Sequence, residues 1–334
     1  MLEGTRVVDV HHHFLPRAVF DELKAEAGGS RRLVNDCISI TLSDDLHRVE
    51  SHLQTMDEGQ VDAAILTYSG VSILGMDTCR KLNDGFAEIQ RAHGERLYGA
   101  VHVPLAEPDA APRELERGVR ELGLVAVALP TSAPGVTLDS PTLAPLYRKI
   151  AELDTAIILH PALLPQGATT DYGLERACAR PFDTTIAAAR IMFGVFPSFP
   201  TLKFVLPHLG GTSVFLRGRT SMICEAPHWN IPPHLKQLAK TQREQREYGM
   251  DAQFEEGWSR FYFDTAGTGG WAPAVQMTAD VVGPERMLFG SDYPLEAHSG
   301  ATVGELVEMI GGLAISGEGR RAIAGENAAH LFRL

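Results

Sequence analysis

The chain has 334 residues, a formal net charge of −12 and a pI near 5.5. That acidic balance argues against nucleic acid, which selects for basic faces, and offers nothing to an anionic membrane surface. Four scattered cysteines, Cys37, Cys79, Cys178 and Cys224, form no C-x-x-C pair, which speaks against a disulfide framework or a thiolate zinc knuckle and for reduced thiols in a cytoplasmic protein.

The N-terminal stretch "MLEGTRVVDV" has no apolar core of signal-peptide length, and no apolar run reaches membrane-spanning length. No Gly/Ser linker, charge block or low-complexity run divides the chain, so a single domain over 1–334 is expected. The first strand is "RVVDV" (6–10), and it runs into "HHH". Residues 14–42 then exceed ordinary loop length. A helix is expected over 43–59, with Ser43 as its N-cap, Leu46, Val49, Leu53 and Met56 on one face, and Gly59 at its end. Strands follow at 62–68 and 97–103, a helix at 107–122, a strand at 124–129, a helix at 140–154 and a strand at 155–160. After the strand at 202–208 comes a second long stretch, 220–259, polar and partly helical in "LKQLAKTQREQREYG". The last strands are 260–265 and 286–291. Their Val/Ile content and flanking Gly and Pro favour strand over buried helix.

Eight strands alternating with helices imply a parallel sheet, and eight repeats suggest closure into a (β/α)8 TIM barrel with its site at the strand C-termini. The two long stretches would then be inserted loops that wall the site or meet a partner subunit. An open doubly wound sheet is the alternative. The nucleotide-binding versions of that fold lose support, because no G-x-G-x-x-G follows the first strand and no P-loop motif occurs.

The strand ends carry the chemistry. Strand 1 ends in Asp9-Val10-His11-His12-His13, strand 5 in His160, strand 6 in His208 and strand 8 in Asp292. Imidazole and carboxylate together suit a divalent ion such as zinc. Side chains alternate along a strand, so His11 and His13 point one way and His12 the other. His11 and His13 are therefore expected to clamp a metal, His160 and Asp292 to complete its shell, and His12 to serve as a spacer whose replacement by Ala keeps the metal. Around this centre His102, at the end of strand 3, and His298 are candidate substrate contacts. Phe14, Tyr293 and Phe182 are candidates for an apolar wall, and Asp264 for a hydrogen-bonding support. His47, His52, His93 and His330 fall on expected helices and read as surface or packing residues.

The ordered motifs "DVHHHFLP", "LHP", "LPHLGG", "FDTA", "MLFGSDYP" and "NAAHLF" span nearly the whole chain. In them the sequence resembles the amidohydrolase superfamily. The likeness is to the branch holding aminocarboxymuconate-semialdehyde decarboxylase and the decarboxylases of γ-resorcylate, 5-carboxyvanillate and 6-methylsalicylate. The resemblance implies one divalent metal, zinc or else manganese, on His11, His13, His160 and Asp292, with His208 as an acid/base group outside the shell. It implies a homodimer, or a dimer of dimers, in which Arg219 reaches the neighbouring subunit's site. Two-metal members of the family use a bridging anion, often a carbamylated lysine. Here none of Lys24, Lys81, Lys149, Lys203, Lys236 and Lys240 ends a strand, which favours one ion. A second carboxylate-binding arginine of the semialdehyde decarboxylase has no match in register, Arg31 and Arg32 being displaced, so a monocarboxylate fits better than a dicarboxylate.

The activity so implied is oxygen-independent decarboxylation of a small, salicylate-type carboxylic acid. Asp292 and His208 would handle the proton, and Phe14, Tyr293, His102, His298 and Arg219 would contact the substrate. The alternative is hydrolysis or hydration of a lactone or amide by metal-activated water, which uses the same ligands.

Overall fold

Ten strands form. They are β1 (Val8–His13), β2 (Arg32–Val34), β3 (Ser39–Thr41), β4 (Ala63–Thr67), β5 (Leu97–His102), β6 (Ala126–Pro130), β7 (Ala156–His160), β8 (Phe204–Leu206), β9 (Phe261–Asp264) and β10 (Met287–Leu288). The computed structural model describes residues 2, 4–34, 39–68, 70, 74–162, 169, 171–224 and 250–334. Eight strands make one parallel sheet in the order β1-β4-β5-β6-β7-β8-β9-β10. The ring closes between its first and last members. Val10 N–H donates to the Phe289 carbonyl at 2.9 Å, Asp292 N–H to that of His11 at 2.9 Å, and His13 N–H to that of Tyr293 at 2.8 Å. The result is a (β/α)8 TIM barrel.

Strand alternation divides the apolar residues into two shells. One set, including Val10, Ile65, Ala100, Ala128, Ile158 and Val205, clusters inside the barrel, where Ala328, Leu331 and Phe332 of the C-terminal helix (Asn327–Phe332) join it. The complementary set, such as Leu66, Val101, Leu129, Leu159 and Phe263, packs under the surrounding helices. The interior end opposite the histidines is thus filled with apolar side chains, and the histidines gather at the strand C-termini.

β1 breaks the alternation once. Val8 and Val10 belong to the interior cluster, so an unbroken strand would turn His12 inward and His11 and His13 outward. Instead Asp9 pairs with Ala64 and His12 with Leu66, three residues on β1 against two on β4. This bulge reverses the phase and delivers His11 and His13 to the interior.

Several expected bounds shift. β1 runs on through His13, and β8 stops at Leu206 because Pro207 has no amide hydrogen for the ladder. The helix expected over 43–59 is two pieces, a 3-10 turn at Asp44–Leu46 and a helix at Val49–Glu58, parted at Arg48 in extended conformation (φ −100°, ψ 101°). Ser43 makes no side-chain capping bond. The long stretch after β1 is not merely loop: it holds a helix, Arg17–Glu26, and the β2–β3 hairpin. The second long stretch begins within the helix Arg217–Cys224 and ends with the helix Met250–Trp258, while its central segment, including the helix expected in "LKQLAKTQREQREYG", lies outside the described residues, as does Cys37. Among the described residues no helix is long and apolar enough to cross a membrane.

Candidate metal centre

Among the described residues, His11, His13, His160 and Asp292 form a buried group whose ligand atoms all lie within 4.8 Å of one another. His11 Nε2 is 3.1 Å from His13 Nε2, and Asp292 Oδ1 is 2.9 Å from His13 Nε2 and 3.8 Å from His11 Nε2. The other nitrogen of each imidazole is held from behind. His11 Nδ1–H donates to Asp264 Oδ2 at 2.8 Å, His160 Nδ1–H donates to the Pro161 carbonyl at 2.8 Å, and His13 Nδ1 faces Thr67 Oγ1 at 3.2 Å. A carboxylate and a carbonyl can only accept, so the Nε2 lone pairs of His11 and His160 are left for the centre.

His208 stands beside this group with its Nε2 at 3.6 Å from Asp292 Oδ2, its ring stacked 5.0 Å from that of His11. Its backbone is left-handed (φ 54°), and its N–H donates to Asp264 Oδ1 at 2.8 Å. Asp264 therefore fixes two things at once, the ring of His11 and the main chain of His208. The turn after β9 also comes up against the His208 ring, and only a glycine, Gly267 at φ +69°, fits there.

Burial opposes protonation of His11, but Asp264, with Asp292 and Asp9, outweighs it and raises the imidazole to about 9. Burial pushes His208 down to about 4, helped by His11, and holds His160 well below its ordinary value, helped by His13 and His11. Burial also disfavours the Asp292 anion, yet His13, His11 and His208 more than reverse this and hold its carboxyl well below the usual range. Asp292 Oδ1 and His208 Nε2 are nevertheless both buried without a hydrogen-bond partner. Two such orphaned atoms beside the imidazoles are what a cation and a group bound to it would satisfy. Three imidazoles and a carboxylate fit one borderline divalent ion.

A cavity of about 540 Å³ opens from His160, His208 and Asp292 outward to Arg32, Arg176, Arg180, Glu175 and His298. His298 thus lies on the wall. The other expected contacts do not. His102 is buried, its Nε2 accepting from Tyr68 N–H at 3.1 Å and its Nδ1–H donating to the Ala100 carbonyl at 3.1 Å, so neither nitrogen is left for substrate. Phe14 and Tyr293 pack behind β1 against His52. Phe182 is exposed on the surface, and Arg219 is exposed on the helix Arg217–Cys224, off the cavity of its own chain. Sequence reasoning passed over Arg176 and Arg180, whose four-residue spacing puts them on one face of the segment after β7.

A family model described as "Amidohydrolase" matches residues 8–334. The chain belongs to the amidohydrolase family. It is 27% identical to the γ-resorcylate decarboxylase of Rhodococcus jostii, over 84% of this chain and 86% of that protein. The solved 5-carboxyvanillate decarboxylase from Sphingomonas paucimobilis superposes with a TM-score of 0.78 at 24% identity, over 99% of this chain and all of the other. A Polaromonas dihydroxybenzoic acid decarboxylase, solved with bound manganese and the inhibitor 2-nitroresorcinol, superposes with a TM-score of 0.73 at 23% identity, over 99% of this chain and 97% of the other. By family and by these relatives the protein is an enzyme, and the relatives are carbon–carbon lyases by name.

Proposed function

We propose that the protein is a cytoplasmic, metal-dependent, oxygen-independent decarboxylase of a small carboxylic acid of the ortho-hydroxy aromatic type. The observation that carries this reading is a four-donor cluster with an orphaned carboxylate oxygen, set beside His208 at the inner end of a cavity whose outer wall is rich in arginine. His11, His13, His160 and Asp292 would hold one ion. The donor set suits zinc, and the manganese of the Polaromonas relative supports the alternative. Bound there, the ion supplies Lewis acidity and a template for neighbouring hydroxyl and carboxylate oxygens.

The residues of the chain manage the proton. Asp292, kept as an anion by its imidazole neighbours, first accepts the proton of the substrate hydroxyl. It then delivers that proton to the ring carbon bearing the carboxylate. The carbon–carboxyl bond breaks, CO2 leaves, and its electron pair restores the aromatic ring. His208, 3.6 Å from Asp292 Oδ2, steadies the proton during the transfer. Arg176 and Arg180 draw the anionic substrate inward, with His298 beside them. Phe14, Tyr293 and His102 brace the strand ends that carry the ligands. Arg219, exposed, would serve the neighbouring site of a homodimer, and the exposed Phe182 and Phe215 supply apolar surface for such contact.

The test is to load the protein with Zn2+ or Mn2+, supply a panel of 2-hydroxybenzoates and measure CO2 and phenol. Turnover is expected on at least one member. His208→Ala is expected to lose it by about 10²–10⁴-fold while retaining one metal per chain. No phenol from any member of the panel, with metal bound, would overturn the reading.

A further inference from the structure

Behind the metal ligands, on the outer face of β1, lies a second buried polar assembly that the chemistry above does not use. Asp9, His12 and His52 are each 1% exposed or less. Asp9 Oδ1 accepts from the N–H of His11 at 3.1 Å and of Ser291 at 3.0 Å. Its Oδ2 accepts from Ser291 Oγ–H at 2.5 Å and from His12 Nδ1–H at 2.9 Å. His12 Nε2–H donates to His52 Nδ1 at 2.8 Å, and His52 Nε2–H donates to the Asp45 carbonyl at 2.6 Å. The chain of bonds therefore runs from the residue before Asp292, through β1, to the turn ahead of the helix Val49–Glu58.

Its placement matters more than its length. The His11 amide that Asp9 receives lies within the bulge, between the paired residues Asp9 and His12. The same carboxylate holds both polar hydrogens of Ser291, and so sets where the next residue, Asp292, begins. One side chain thus stabilises the phase reversal that turns His11 and His13 inward and also ties them to the ligand on the far side of the barrel seam. Three buried ionisable groups are a costly way to join a strand to a helix, since apolar side chains of like volume would pack there without desolvation cost.

We propose that Asp9, His12 and His52 are positioning residues for the metal centre, a relay that sets the separation of His11 and His13 from Asp292. This rests on the metal reading above. His12 then stays outside the shell, as strand alternation requires, but its loss weakens the metal rather than leaving it untouched.

The test compares Asp9→Asn, His52→Phe and a packing control, Ile150→Ala, which is buried in the helix Ala144–Leu153 away from the site. Mn2+ affinity is measured by chelator competition, and the unfolding temperature of the metal-free proteins separately. Asp9→Asn is expected to weaken Mn2+ binding about 10–100-fold and His52→Phe about tenfold. Ile150→Ala should lower the unfolding temperature yet bind Mn2+ as the wild type does. Cobalt substitution adds a signature: the visible spectrum of the His52→Phe protein should shift from that of the wild type, and the control's should not. Binding within twofold of wild type in both network variants would overturn the proposal, and His52→Phe decides alone should Asp9→Asn fail to fold. A wild-type protein that holds no divalent ion would overturn the metal reading itself, and the relay with it.

Discussion

Replacing Gly267 by Ala tests how tightly His208 must be held. A Cβ at position 267 would lie 2.4 Å from His208 Cγ, 2.7 Å from Cδ2 and 2.8 Å from Nδ1. Ordinary contact begins near 3.4 Å, so the ring has to withdraw by about 1 Å. The main chain cannot follow, because the His208 amide is tied to Asp264 at 2.8 Å, and the imidazole must tilt instead. A misplacement of about 1 Å in a reacting geometry costs about 10²-fold. The left-handed conformation at 267 adds about 1–2 kcal/mol of backbone cost, a fall of a few degrees in melting temperature. The assay is kcat of the metal-loaded protein, with metal content and melting temperature measured alongside. The expected outcome is kcat reduced about a hundredfold at unchanged metal stoichiometry. A Gly267→Ala protein within threefold of wild-type kcat would refute the placement of His208 in the chemistry.

Asp264→Asn should act on the metal as well. The amide oxygen can still receive the His208 and Ala266 amides, which then turns its NH2 toward His11 Nδ1 and drives the His11 proton to Nε2, where the ion needs a lone pair. Chelator competition should show Mn2+ affinity lower by about 10–100-fold, and an unchanged affinity would count against His11 as a ligand. His102 sets a pH dependence of stability. Burial lowers it from 6.5 to about 4, so the folded state binds fewer protons than the unfolded one between those values. Its contribution is therefore complete above pH 6.5 and falls away as the pH drops toward 4, by about 3 kcal/mol in all. His102→Gln keeps an acceptor for Tyr68 N–H and a donor for the Ala100 carbonyl. Urea unfolding at about pH 7 and about pH 4.5 should show the variant losing less stability than the wild type, and parallel losses would show that His102 is not the titrating group.

The barrel was legible because its strands are short apolar runs separated by helical periods, and that pattern survives errors of a few residues at every boundary. That His11, His13, His160 and Asp292 come together was legible for the same reason: each stands at or just past a strand end, and parallel strands bring their C-termini to one rim. Strand alternation also separated His12 from its neighbours, but it missed how. At the bulge that sets the phase, the Asp9 carboxylate accepts from a backbone amide, which leaves no mark in hydrophobic period. His52 read as an ordinary helical residue, since its partner, His12, lies forty positions away and meets it only across the strand–helix interface. The cavity wall was less legible still. Phe14 and Tyr293 flank His13 and Asp292 of the candidate metal centre in sequence, yet strand geometry sends them behind β1. Arg176 and Arg180 border the cavity from a segment with no motif, and only the path of the chain after β7 brings them there.

In the proposed reaction a carboxylate leaves and the proton of the substrate hydroxyl, which exchanges with solvent, takes its place. The most direct measurement is turnover of an ortho-hydroxy aromatic acid by the metal-loaded protein in D2O enriched in oxygen-18, with products followed by mass spectrometry and NMR. The expected product is a phenol carrying one deuterium at the vacated ring carbon and no oxygen-18 in its carbon skeleton, with CO2 released in equal amount. A product that retains every carbon of its substrate and gains a solvent oxygen would contradict decarboxylation and point to metal-activated water instead.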